Sequence, residues 1–64
     1  MATKVKIRRV ELGYKQKDVA EKVGITPQYL MNIENGKAKN PSIEIIRRLS
    51  EVLQCSPDDL FFRD

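Results

Sequence analysis

Histidine and tryptophan are missing from this 64-residue chain, and it has one cysteine, Cys55. Without histidine there is no Ser-His-Asp or Cys-His nucleophile system and no Cys/His zinc finger. With one cysteine there is no internal disulfide framework, and Cys55 is expected as an inert, reduced thiol. No apolar run exceeds three residues, so neither a signal peptide nor a membrane-spanning helix is expected. Glycine-rich phosphate loops and acidic clusters with metal-ligand spacing are also lacking, as are repeats, low-complexity tracts and β-type alternation. The expectations are that the chain is not an enzyme, carries no metal or cofactor, offers no evident small-molecule site, touches no membrane and is cytoplasmic.

What remains is a globular mixture, 41% hydrophobic and 33% charged. The length allows one domain, residues 1–64. So small a core seldom supplies more than about 3–5 kcal/mol, which puts the burden on close helix packing or on oligomerisation. The net charge of +3 is unevenly placed. Residues 1–40 carry nine bases against four acids, or +5, and residues 41–64 carry three bases against five acids, or −2. A basic half beside a mildly acidic one suggests one side facing a polyanion and one facing away.

Five short helices are read from the pattern. The first runs from about Lys4 to Leu12, with Val5 and Leu12 on one face, Thr3 as N-cap and Gly13 as the stop. Arg9 falls on that apolar stripe, where an unpaired charge would be costly. The second spans about Gln16 to Val23, with Val19, Ala20 and Val23 inward, and Gly24 closes it. The third opens on Thr26-Pro27, a cap followed by a proline at the first helical position. Leu30 and Ile33 face inward, Gln28, Tyr29 and Asn32 face outward, and Asn35-Gly36 ends the helix. After a loop from Gly36 to Pro41, Ser42 caps a fourth helix. Its stripe is Ile43, Ile46, Leu49 (or Ser50) and Leu53, widened by Ile45 and Val52. Ser56 caps a last short turn, with Pro57 at N1, Asp58 and Asp59 at the positive helix end and the run Leu60-Phe61-Phe62.

Two helices of about eight residues joined by Gly24-Ile25-Thr26 form a helix-turn-helix unit. Ala20 allows close approach and Ile25 plugs the turn. Arg9-Val10-Glu11-Leu12-Gly13-Tyr14-Lys15-Gln16, Val19 to Ile25, Ile33-Glu34-Asn35-Gly36-Lys37, Pro41-Ser42 and Ser56 to Phe61 together resemble the Cro/repressor (Xre-type) helix-turn-helix family. The resemblance covers about residues 4–62. It implies an all-α, five-helix, lambda-repressor-like DNA-binding domain of a transcriptional regulator, with the helix-turn-helix at helices two and three. It places Thr26, Gln28, Tyr29 and Asn32 on the groove-facing side of helix three. It sets Gln16 against the DNA backbone as a brace for that helix, and Asn35, Gly36, Lys37 and Lys39 against phosphates, with Lys15 adding another phosphate contact. It also implies an Arg9–Glu34 ion pair. Pro27, Tyr29 and Met31 depart from the Gln-rich recognition helices of lambdoid phage members.

The residues carry the same reading physically. Gln and Asn bond adenine N6 and N7 bidentately in the major groove, and no Arg or Lys stands on the outer face of helix three, which favours half-sites containing A·T pairs. Flanking lysines displace counterions from phosphates without reading sequence. One unit reads too few base pairs to select a genomic site. The family resemblance implies the remedy, a homodimer on a palindromic operator with half-sites about 34 Å apart, and the regulator is expected to be a repressor, although no residue here separates repressor from activator. Pairing is expected through the non-basic half, with Leu60 in the core, Phe61 at its edge and Phe62 exposed, so that Phe61 and Phe62 form the interface. The alternative is an antitoxin or other protein-interaction module built on the same fold, which a dedicated toxin-binding segment would distinguish.

Overall fold

The computed structural model describes residues 3–38 and 41–62, except for the side chain of Phe62. Among these, α1 is Val5–Glu11, α2 Gln16–Val23, α3 Pro27–Glu34 and α4 Ile43–Leu53, and α5 is a single π-type turn, Asp58–Phe62. There are no strands among the described residues.

Several helix starts and stops have a local cause. Thr26 Oγ1 accepts from the Tyr29 N–H at 3.0 Å and Ser42 Oγ from Ile45 at 3.2 Å. Each cap satisfies one of the first-turn donors that a helix leaves unpaired. Gly24 ends α2 in the left-handed region, at φ +86°. α4 ends on Gln54, which adopts φ +53° without being glycine, a conformation that costs a side-chain-bearing residue about 1–2 kcal/mol.

The core gathers one face from every helix: Val5, Val19, Ala20, Val23, Leu30, Ile33, Leu49, Leu53, Leu60 and Phe61. α2 packs against α3 and α4, while α1 touches α3, α4 and α5. Fully burying one such aliphatic side chain contributes about 1.5–3 kcal/mol, so a few positions carry the fold.

Three sequence expectations change. Lys4, not Thr3, is the N-cap of α1. Thr3 Oγ1 accepts a long bond from the Val5 N–H at 3.4 Å and donates to the Ile33 carbonyl at 3.2 Å, tying the residues before α1 to α3. Ile43 is 84% exposed rather than on the core stripe. At 100° per residue it lies about 120° round the helix from Leu49, and the inward stripe begins at Ile45 and Ile46. Leu49 takes the position left open between it and Ser50, whose Oγ donates back to the Ile46 carbonyl. Phe61 lies inside the core, 7% exposed. The wide α5 turn carries it inward beside Leu60, so Phe61 has almost no surface to offer a partner. The Phe62 side chain lies outside the described residues.

Candidate nucleic-acid interface

The turn between α2 and α3 is three residues long. The N–H groups of Gly24 and Ile25 both donate to the Ala20 carbonyl at 2.9 Å. Ala20 is 1% exposed, and its small side chain lets the helices approach. Thr26 then starts α3 with its cap. The outward face of α3 consists of Pro27, Gln28, Met31 and Asn35, all exposed, with Asn32 half-buried beside them. Eight residues at 1.5 Å each make a rod about 12 Å long, matching a major groove about 12 Å wide. Gln28 Nε2 donates to Asn32 Oδ1 at 3.3 Å, so the two amides form one polar surface.

Tyr29 departs from its expected place. It is half-buried and packs against the core, because one step of 100° from Gln28 turns it towards the inward positions Leu30 and Ile33. Thr26 is exposed, and its hydroxyl oxygen is engaged in capping. Met31 was missed as part of this face. Its spacing from Gln28, i+3, is the signal that would have found it.

A buried ionic hub holds α3 in place. Arg9 Nε donates to Glu34 Oε2 at 2.7 Å and Arg9 Nη2 to Glu34 Oε1 at 3.3 Å. Gln16 Nε2 adds a third bond to Glu34 Oε1 at 3.1 Å, and Arg9 Nη1 reaches the Tyr14 carbonyl at 3.0 Å. The two charged side chains are 12% and 2% exposed. One carboxylate at the end of α3 thus ties that helix to α1 and to the first residue of α2. Such a charge-assisted fork is strong and directional.

The same hub brings the start of α2 next to the end of α3. Lys15 is exposed at the N-cap of α2 with no side-chain cap of its own. A lysine there opposes the helix dipole and gains nothing from it. Past α3, the backbone turns back on itself. Asn35 is the C-cap, Gly36 adopts φ +75°, and the Lys37 and Ala38 N–H groups donate to the Asn32 carbonyl at 2.8 and 3.0 Å. Lys37 is left exposed. Lys39 lies outside the described residues. Lys22 is differently placed, 4.9 Å over the Tyr14 ring. Among the described residues no three His, Cys, Asp or Glu groups gather to hold a metal ion, and no helix is long and apolar enough to cross a membrane.

A helix-turn-helix family profile matches residues 5–60. The chain belongs to the helix-turn-helix family. The HTH-type transcriptional regulator SinR of Bacillus subtilis (strain 168) is 40% identical over 53 residues, covering 83% of this chain and 48% of SinR. The chain therefore spans about half the length of that relative. Among solved structures, the SinR protein/SinI protein complex superposes with a TM-score of 0.82 at 37% identity, covering 92% of this chain and 57% of the matched one. The restriction-modification controller protein C.AhdI from Aeromonas hydrophila superposes at 0.77 with 28% identity, covering 89% and 85%. Both share the all-helical arrangement of this helix-turn-helix chain.

Proposed function

We propose that this helix-turn-helix protein is a sequence-specific, double-stranded DNA-binding transcriptional regulator, a repressor that acts as a cytoplasmic homodimer on a palindromic operator. The observation that carries the reading is the amide face of α3, held by the buried Arg9–Glu34–Gln16 hub and framed by exposed Lys15 and Lys37. Gln28 and Asn32 read base edges in the major groove. Met31 offers apolar contact to a thymine methyl. Thr26 faces the groove at the start of α3, while Gln16, Asn35, Gly36, Lys15, Lys37 and Lys39 set the register on phosphates. Tyr29 contributes its ring edge and hydroxyl from a half-buried position.

The dimer surface is assigned to α4 rather than to Phe61. Ile43, Ile46 and Pro57 line an apolar groove edged by Arg47 and Glu51. Arg47 and Glu51 pair with each other along this edge at 3.4 Å, and a second copy related by a two-fold axis can exchange that pairing across the interface. Ile43, at 84% exposure, has the most to gain from being covered. Ile43→Glu should leave the melting point almost unchanged, since surface substitutions usually stay within about 0.5 kcal/mol. In sedimentation on a palindromic site it should bind one protomer where wild type binds two.

Selection of bound sequences from a random duplex pool tests the whole reading. The expected result is a two-fold symmetric consensus with A·T pairs in each half-site. Binding should weaken with salt at a log–log slope steeper than about −4, at roughly −0.9 per neutralised phosphate. Recovery of no consensus, or salt-independent binding, contradicts it.

A further inference from the structure

Arg48 stands on α4, apart from both the amide face of α3 and the buried hub, with its side chain 50% exposed. Its Nη1 donates to the carbonyl of Val23 at 3.1 Å. Val23 is the last residue of α2, and a terminal carbonyl has no partner within its own helix. The next two N–H groups, of Gly24 and Ile25, turn back to Ala20. α2 therefore closes on Ala20 and presents its final carbonyl to α4. The guanidinium charge lies at the negative end of the α2 dipole, where a cation is favoured. Glu44, one turn earlier on α4, meets Arg48 Nη2 at 3.3 Å and orients the side chain. Gly24 completes the fit: a Cβ at that position would stand 3.3 Å from Arg48 Nη1.

Only Gly24, Ile25 and Thr26 separate this bond from α3, and Thr26 caps that helix. A displacement at Val23 therefore passes directly to the start of α3. We infer that Arg48 is a positioning residue which, by holding the Val23 carbonyl, fixes the α2–α3 turn and so the angle at which α3 presents Gln28 and Asn32. The inference rests on the DNA-reading proposal above. Hydrogen bonds to base edges weaken steeply when misaligned, whereas a lysine on its flexible stem follows a phosphate. Loss of the clamp should thus reduce discrimination and leave general affinity in place.

Arg8 supplies a matched control. Its Nε donates to the Leu53 carbonyl at 2.9 Å and its Nη2 to the Gln54 carbonyl at 3.2 Å. The chemistry is the same, but it acts at the far end of α4, away from the turn. The test compares wild type, Arg48→Met and Arg8→Met in the full chain, at a temperature where circular dichroism finds all three folded. Fluorescence anisotropy reads binding to the site that wild type selects and to random duplex. Arg48→Met should raise Kd on the selected site about tenfold, change Kd on random duplex less than twofold and keep the salt slope, while Arg8→Met should leave the ratio of the two affinities intact. Equal losses on both duplexes with a slope shallower by about 0.9 per bound protomer would make Arg48 a phosphate contact and overturn the inference. An unchanged ratio, or the same loss of ratio in Arg8→Met, also overturns it. If wild type selects no site, the DNA-reading proposal falls by itself. Amide hydrogen exchange of the DNA-free protein then decides the clamp: Arg48→Met should speed exchange at Gly24, Ile25 and Tyr29 at least fivefold, and unchanged exchange overturns it.

Discussion

Two ion pairs of nearly equal length sit in opposite halves of the molecule. Arg9 meets Glu34 at 2.7 Å and Arg47 meets Glu44 at 2.6 Å. The first pair is 12% and 2% exposed, and it joins α1 to α3. The second is 62% and 49% exposed and joins two residues of one helix turn. Distance alone would rank them together. Burial separates them, because only the first pair has been taken out of water, and neither partner can be removed without stranding a charge in the core. Exposed pairs exchange protein contacts for water at little net change. The basic half thus uses charge to fix α3 to α1 and α2, whereas the α4 pairs stay on the exposed surface beside an apolar groove.

The largest expected effect is at Glu34. Glu34→Ala strands Arg9 and should cost about 3–5 kcal/mol, comparable with the whole stability of so small a domain. Thermal melts followed by circular dichroism should show much of the population unfolded. A combined Arg9→Met, Glu34→Leu variant should recover most of that loss, because apolar replacement of both partners leaves nothing stranded. A folded Glu34→Ala protein with an unchanged melting point would remove the distinction between the two pairs.

The smaller effects belong to the exposed pair. Arg47→Ala should leave the thermal midpoint where it is. The hydrogen bond from Arg47 holds the Glu44 carboxyl below its ordinary value, and Arg48 adds to the effect. A lowered folded-state value gives a contribution that is present above the ordinary carboxylate range and disappears as pH falls through the lowered value. Thermal midpoints measured against pH should therefore show a slight acid loss in wild type that is smaller in Arg47→Ala, where Arg48 still faces Glu44.

The same contrast explains what was legible in the sequence. Arg9 on an apolar stripe demanded a partner, and Glu34 after Ile33 was the acid at the end of a helix that could turn inward. The caps at Thr26 and Ser42 and the stop at Gly24 were readable from residue type alone. The clamps made by Arg8 and Arg48 were not readable, because beyond their helical neighbours Glu11 and Glu44 they reach backbone carbonyls 45 and 25 residues away, and a carbonyl leaves no mark in a sequence. Ile43 misled because an i, i+3 spacing defines a face without saying where that face leaves the core. Tyr29 is amphipathic, so its polar tip and apolar ring pointed to opposite surfaces. Phe61 depended on a π-type turn that a run of three apolar residues does not announce.

The central claim is that α3 reads sequence while the lysines around it supply general affinity. Binding of Gln28→Ala and Lys37→Ala, measured on the site wild type selects and on random duplex at one salt concentration, tests it most directly. Gln28→Ala should lose about 1–3 kcal/mol on the selected site and almost nothing on random DNA, whereas Lys37→Ala should weaken both alike. Equal losses for the two variants on both duplexes would contradict the claim.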